Sequence, residues 1–339
     1  MTENSDIGAA DRKKDHIELA FKAKLSSQNL DTRFYYEPIL SAHPSDQIDI
    51  SIQLLGKKFE APIWVSSMTG GTALSRIINK NLAKACGEFG LGMGLGSCRQ
   101  LLYSDEYLDD FKVRKEIGEQ PLYANLGIAQ LEQLIDENKT SKIKELLEKL
   151  EADGLIIHVN PLQEWLQPEG DSFMYSPLDT IRKCLDFLHY PIIVKEVGQG
   201  MGPKSLEALM ELPLAAIDFG AAGGTNFALL EIMRSSELIA QNYHALANIG
   251  HSADDMVLYI NNLHDSSTKD YPCKEIIISG GVSDFLDGYY YTKKLKLPSV
   301  YGQASGFLKH AQSSYEHLQT YTKMQIDGFR MAKAMLHIK

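Results

Sequence analysis

Eight short apolar runs punctuate this chain, and together they restrict its fold more than any other feature. They are PIWVSSM (62–68), LGMGLGS (91–97), PLYANLG (121–127), GLIIHVN (154–160), PIIVKEV (191–197), AAIDFG (215–220), EIIISGG (275–281) and SVYGQA (299–304). The runs are continuous rather than alternating, as expected of strands buried on both faces of a parallel sheet. Amphipathic segments separate them. Ile143, Leu146, Leu147 and Leu150 recur at helical spacing with Lys and Glu opposite, and 79–89 and 205–212 read likewise. Eight such units, roughly 25–40 residues apart with one longer gap of about 60, predict an α/β fold of the (β/α)8 TIM-barrel type. A doubly wound sheet is the alternative, but it wants a GxGxxG turn after an early strand. GLGMGLG (90–96) has the glycines but sits inside a strand-like run.

With 339 residues, the chain is long enough for one large core. Residues 1–60 read as an N-terminal arm and hairpin packed on the barrel, and 61–339 as the barrel, a single domain overall. Within the arm, 17–25 is a candidate helix, and 48–58 a hairpin closing the barrel floor. The long gap, 221–275, is expected to hold a helix and a mobile excursion, with HDSSTKD (264–270) a turn-rich surface loop.

The net charge of −10, from 34 basic and 44 acidic residues, argues against nucleic acid or an anionic membrane as a partner. An anionic substrate must therefore meet a local basic site. The four cysteines, Cys86, Cys98, Cys184 and Cys273, lack CxxC spacing and read as free thiols in a reducing compartment. No signal core or bilayer-length apolar run is visible, so a cytoplasmic location is expected.

Barrel chemistry sits at the carboxyl ends of the strands. Here those ends read SSMTGG, GSCR, ANLG, HVNPLQE, VKEVGQG, GAAGGT, SGG and GQAS, almost all rich in Gly, Ser, Thr or amides. Gly280-Gly281 and Gly302 to Ser305 follow the last two strands, where backbone N–H groups can cradle a phosphate; a pair of tight turns is the plainer alternative. Lys195 ends an apolar strand beside Glu196. It suits a Schiff base, a positive charge against an electron-rich ring, or a structural Lys–Glu pair. Arg12, Lys13, Lys14 and His16 form a basic cluster that is either a solvated tail or, with Arg99, a clamp for a diphosphate. Densest of all is His158 to Asp171, where His158, Asn160, Gln163, Glu164, Gln167, Glu169 and Asp171 crowd a strand exit. Glu164 beside Gln163 suits Mg²⁺, which takes few carboxylates plus phosphate oxygens.

These pieces resemble the type 2 isopentenyl diphosphate isomerases. The matching residues are Arg12-Lys13-x-x-His16, Ser67-Met68-Thr69-Gly70-Gly71, Gly96-Ser97-x-Arg99, Ala124-Asn125-Leu126-Gly127, His158-x-Asn160-x-x-Gln163-Glu164, Gln167-Pro168-Glu169-Gly170-Asp171, Val194-Lys195-Glu196-Val197-Gly198, Gly223-Gly224-Thr225-Asn226-Phe227 and Ser279-Gly280-Gly281. They follow the family's order; Cys98 stands where the family usually has Gln. The resemblance implies a barrel that interconverts isopentenyl and dimethylallyl diphosphate, using reduced FMN as acid/base cofactor, NADPH as its reductant, and Mg²⁺. It implies FMN contacts from Ser67, Met68, Thr69, Ser97, Asn125, Lys195 and Thr225, with Gly280, Gly281, Ala304 and Ser305 at the FMN phosphate. Arg12, Lys13, His16, Arg99, His158, Asn160 and Gln163 would surround the substrate, and Glu164 would bind Mg²⁺. Gln163 and Glu231 are the candidates for relaying protons at the substrate tail, and Lys195 for stabilising the reduced flavin. The family assembles as homotetramers or homo-octamers, with the basic arm able to act on a neighbouring subunit.

A second reading is an FMN-dependent oxidoreductase of a hydroxy acid or nucleotide on the same barrel, which His251 or Cys273 in the long gap would serve. A catalytically silent flavin- or phosphate-binding protein is a third.

Overall fold

The eight apolar runs close into a parallel barrel. The computed structural model describes residues 9–45, 47–66, 73–266 and 268–339. Its barrel strands are β1 (Ile63–Val65), β2 (Gly92–Gly94), β3 (Leu122–Gly127), β4 (Gly154–Val159), β5 (Ile192–Glu196), β6 (Ala216–Asp218), β7 (Ile276–Ser279) and β8 (Ser299–Gln303). Each pairs with the next in sequence, and β8 returns to β1 by pairing Tyr301 with Ile63, Gly302 with Trp64 and Gln303 with Val65.

Alternation along each strand divides the apolar residues into two cores. Trp64, Tyr123, Ile156, Ile193, Ala216, Ile277 and Val300 point inward and pack on one another. Their neighbours Ile63, Val65, Leu155, Ile157, Val194, Ile276 and Ile278 point outward into a larger core shared with the helices. Both faces are buried, which is why the runs carry no polar alternation. Gly92 is inward and must be small: a Cβ there would lie 2.6 Å from the Trp64 ring.

A hairpin stoppers the floor. Strands Ile52–Leu54 and Lys57–Phe59 are joined by Leu55-Gly56, both at positive φ (53° and 69°), the geometry of a type I′ turn. Leu54 and Phe59 are fully buried in the interior core, and the Phe59 ring lies 6.5 Å from Trp64. Glu275 accepts the Leu55 N–H at 2.7 Å and ties the turn to the start of β7.

The outer layer comprises α1 (Ala73–Phe89), α2 (Ile128–Asp136), α3 (Ser141–Leu150), α4 (Pro161–Leu166), α5 (Pro177–Phe187), α6 (Pro203–Met210), α7 (Phe227–Arg234), α8 (Glu237–Tyr243), α9 (Ala253–Ser266), α10 (Phe285–Lys294), α11 (Ser305–Ala311) and α12 (Tyr315–Met335), besides shorter segments. In α3, Ile143, Leu146, Leu147 and Leu150 are the buried face, as their spacing predicts.

Three local expectations are corrected. The long gap holds α7, α8, a 3-10 turn (His244–Asn248) and α9, not one helix and an excursion. Its short helices are started by side-chain caps: Asn226 accepts the Leu229 N–H at 2.8 Å, and Ser236 that of Ile239 at 3.5 Å. Residues 264–266 are the last turn of α9, carried past their polar composition by buried Met256, Val257 and Ile260. The arm helix spans Ala9–Leu19 rather than 17–25. Further along, Phe34–Tyr36 pairs antiparallel with Leu336–Ile338, so the end of the chain clasps the arm.

Candidate active site

One step above the apolar interior, the inward positions turn polar. Ser66, Asn125, His158, Lys195, Asp218 and Ser279 occupy them, with Gly94 and Gly302 leaving space. His158 is in register with Lys195, and Lys195 with Asp218, so three titratable side chains stand abreast on β4, β5 and β6.

Each of the three is held differently. The His158 ring shares a hydrogen bond of 2.8 Å between Nδ1 and Asn125 Oδ1, and Asn125 in turn donates to the Leu95 carbonyl at 3.1 Å. With the amide so oriented, Nδ1 carries the proton. Burial, helped by the charge of Lys195, drives the His158 pKa down to about 3, so the imidazole is neutral. Gly127 leaves room for it: a Cβ there would lie 2.7 Å from Nε2. Lys195 is buried and donates to the Glu196 carbonyl at 2.7 Å. Its side chain does not pair with the Glu196 carboxylate, which lies across the strand and accepts the N–H groups of Gly198, Gln199 and Gly200 at 2.7, 2.6 and 2.9 Å. Burial nevertheless pushes the Glu196 carboxyl above the usual range. Asp218 is wholly buried. Its Oδ1 accepts the Ser279 hydroxyl, whose oxygen accepts the Gly220 N–H at 3.0 Å, while Oδ2 has no partner. Burial raises the Asp218 pKa, against the pull of Lys195.

Around this row the carboxyl ends of β5 to β8 enclose a cavity of ≈ 200 Å³, lined by Lys195, Thr225, Gly280, Gly281, Ala304 and Ser305 together with Ser66. Gly280 and Gly281 adopt φ of +83° and +69°, and a Cβ on Gly280 would sit 2.0 Å from the Ala221 carbonyl oxygen. Only glycine fits that position. Ser66 Oγ is buried without a partner.

On the other side of the mouth, β4 runs into α4 with Pro161 at its first position. Asn160 donates to Gln163 Oε1 at 3.1 Å and to Glu164 Oε1 at 3.0 Å, leaving its own Oδ1 buried and unpartnered. The other Glu164 oxygen accepts the Asp171 N–H at 2.8 Å. Gln163 donates to Glu231 on α7 at 3.2 Å. Glu231, only 2 % exposed, also meets Arg234 at 2.6 Å, which reaches Glu169 at 2.6 Å. Arg99 pairs with Asp171 at 2.8 Å, and Gln130 donates to the same oxygen at 2.9 Å. Among the described residues no three His, Cys, Asp or Glu side chains gather as a metal cage.

The predicted arm residues are not brought to this mouth. Arg12, Lys13 and His16 lie on the exposed helix Ala9–Leu19 and line no part of the cavity. Ser67, Met68 and Thr69 lie outside the described residues. Ser97 is exposed at the end of β2. Cys98 turns into the core, its Sγ 3.4 Å from the Gly96 carbonyl, with burial pushing the thiol up to about 12. His251 lines a separate cavity of ≈ 560 Å³ outside the barrel wall, and Cys273 is buried ahead of β7, at the opposite end from the mouth. Asp218 was not among the predicted site residues; the closed sheet places it inward, two positions beyond the interior residue Ala216.

A closed parallel barrel with a polar layer and a glycine-lined cavity at its carboxyl end defines a (β/α)8-barrel enzyme. No family model matches the chain. It is 32% identical over 334 residues to the isopentenyl-diphosphate delta-isomerase of Rickettsia africae, covering 97% of this chain and 93% of that one. It is also 32% identical over 292 residues to the enzyme of that name from Mycolicibacterium gilvum, covering 85% and 81%. The chain therefore belongs to the type 2 isopentenyl diphosphate isomerases. Its fold is similar to a flavocytochrome b2 variant with sulfite bound (TM-score 0.62, 16% identity, 89% of this chain and 72% of that one). It is likewise similar to a mandelate oxidase variant solved as a monooxide FMN adduct (TM-score 0.53, 12% identity, 91% and 88%).

Proposed function

We propose that this isomerase converts isopentenyl to dimethylallyl diphosphate in isoprenoid biosynthesis, with FMN in the glycine-lined cavity and Mg²⁺ at the substrate diphosphate. The observation that carries the reading is that one cavity joins Lys195 to the Gly280-Gly281 and Ala304-Ser305 loops. The residues suit the cofactor. Gly280 admits no Cβ, Ser66 Oγ lacks a partner, and Lys195 faces the same space. Gly280, Gly281, Ala304 and Ser305 would hold the phosphate of FMN, and Ser67, Met68, Thr69, Ser97, Asn125, Lys195 and Thr225 its ring. When bound and reduced, FMN supplies an electron-rich acid/base surface at the alkene, with NADPH as the external reductant.

The chain's own residues do the rest. Moving the double bond adds a proton at the terminal alkene carbon and removes one from the allylic carbon next to the diphosphate-bearing carbon. Gln163 and Glu231 would hold protons at the substrate tail, because their hydrogen bond couples a neutral amide to a buried carboxylate. Lys195 would set a positive potential at the flavin. Glu164 would take Mg²⁺, with the unpartnered Asn160 oxygen close by and the remaining positions filled by diphosphate and water oxygens. Arg99, His158, Asn160 and Gln163 would surround the substrate. His158, being neutral, would serve as a hydrogen-bonding group rather than a charge. Arg12, Lys13 and His16 would complete the site from a neighbouring subunit of a homotetramer or homo-octamer. Supporting that assembly, Ile17, Phe21 and Ile39 on the arm are 71%, 79% and 94% exposed, as expected of a surface that another copy covers. The cytoplasm is its proposed location; among the described residues no helix is long and apolar enough to cross a membrane. The flavin oxidoreductase reading loses its two supports, since His251 and Cys273 lie away from the mouth.

The test is an anaerobic incubation with FMN, NADPH, Mg²⁺ and isopentenyl diphosphate in deuterated water. Deuterium in a dimethylallyl product, from a yellow protein that is active only when reduced, is the expected result. Activity with fully oxidised flavin and no reductant overturns the cofactor's role. Absence of any dimethylallyl product overturns the substrate.

A further inference from the structure

The geometry points to Asp218, braced by Ser279, as the positioning residue that supplies the counter-charge to Lys195 in the barrel mouth. Three observations carry it. Lys195 and Asp218 occupy paired positions on β5 and β6, both inward. Neighbouring strands lie about 4.8 Å apart, and the Lys195 charge acts on Asp218 although the ammonium itself bonds the Glu196 carbonyl at 2.7 Å. Asp218 is wholly buried, yet its Oδ2 meets no donor. Burying a carboxylate costs several kcal/mol unless another group compensates, so an inward strand position with only a packing role would be filled by an apolar residue such as Ala216 or Ile277. Finally, Ser279 commits its hydroxyl proton to Asp218 Oδ1 and its oxygen to the Gly220 N–H, which fixes the carboxylate from the next strand.

The charges around Lys195 make the role specific. From β4 it faces His158, which is neutral and supplies no counter-charge. On its own strand the Glu196 carboxylate points to the outer face, where three backbone N–H groups hold it. Asp218 is therefore the one acidic side chain in the inward row of three, and it acts on the reaction through Lys195 rather than by touching substrate. The consequence for catalysis rests on the flavin reading of Lys195; the charge relationship does not.

The experiment is competitive labelling of amines in the full-length protein with acetic anhydride, across pH, with Lys195 read by peptide mass spectrometry. Replacing Asp218 by Asn keeps the shape and removes the charge. The pH at which Lys195 is half-labelled should fall by about one pH unit or more, the size of effect an opposite charge has at this range. Ser279→Ala, which leaves the carboxylate but not its brace, should move it less and in the same direction, and serves if Asp218→Asn does not fold. Unchanged Lys195 reactivity in both folded variants overturns the assignment. The shift, observed in a protein that takes up no FMN, would leave Asp218 in this role and remove the flavin reading instead.

Discussion

Gln163 donates its side-chain amide to the carboxylate of Glu231 across 3.2 Å, joining α4 to α7 over the barrel mouth. Glu231 is buried and also meets Arg234 at 2.6 Å. A carboxylate so enclosed, linked to an amide at the strand exit, suits proton holding better than surface solvation. Glu231→Gln keeps the shape and removes the proton acceptor. It should lower kcat by about 10²–10⁴-fold, the usual worth of a positioned acid/base group. KM and the bound-flavin absorbance should change little. Wild-type turnover in this variant would return Glu231 to a structural partner of Arg234.

Glu164 gives one carboxylate oxygen to Asn160 and the other to the Asp171 N–H. Glu164→Gln retains the acceptor for Asn160 but loses the charge a hard cation needs. The Mg²⁺ concentration for half-maximal activity should rise roughly tenfold or more, with the protein still yellow. A colourless variant with unaltered Mg²⁺ dependence would move Glu164 out of the metal site and into flavin binding.

The barrel was legible because parallel strands buried on both faces read as continuous apolar runs, and 191–197 and 275–281 are plain examples. The same continuity hid Asp218. When both faces are apolar, a single run does not say which parity points inward, and only the closed sheet aligns Asp218 with Lys195. The Gln163–Glu231 contact spans 68 positions, so its members were visible as candidates while their hydrogen bond depended on how α7 packs against α4. Lys195 beside Glu196 suggested an ion pair, but consecutive strand residues face opposite ways, and the lysine took the carbonyl instead. Polar composition at 264–270 suggested a loop; helical burial at Met256, Val257 and Ile260 extended α9 to Ser266.

His158 makes stability depend on pH in a definite direction. Its native pKa lies near 3, below the ordinary 6.5. As pH falls from 6.5 toward 3, the unfolded chain takes up a proton that the folded chain refuses, so stability drops through that window. Above 6.5 the group has no effect. His158→Gln should flatten the slope of unfolding free energy against pH between 6.5 and 4, measured by urea titration at each pH. An identical slope in the variant would mean that other groups set the acid sensitivity.

The hairpin beneath the barrel supplies the apolar layer on which the polar row stands. Phe59 is fully buried, its ring 6.5 Å from that of Trp64. Phe59→Ala should cost about 3–5 kcal/mol of unfolding free energy, the range for deleting a buried aromatic ring. Urea denaturation measures it directly. A loss below about 1 kcal/mol would show that the floor collapses to refill the space.

Arg12 and Lys13 pose the question of which mouth they serve. Their helix is exposed, and neither residue lines the cavity of its own chain. Charge-assisted contacts to a diphosphate are worth about 1.5–3 kcal/mol each, so Arg12→Ala with Lys13→Ala should raise KM for isopentenyl diphosphate by at least tenfold. If the arm reaches a neighbour, two damaged proteins can rescue each other. Subunits carrying the arm substitutions still own an intact Gln163–Glu231 pair, and Glu231→Gln subunits still own an intact arm. Refolding or exchanging the two together should assemble mouths that have both, and turnover should rise above that of either variant alone. A raised KM with no rescue on mixing would place the arm over its own barrel, while an unchanged KM would leave Arg12 and Lys13 as a solvated surface.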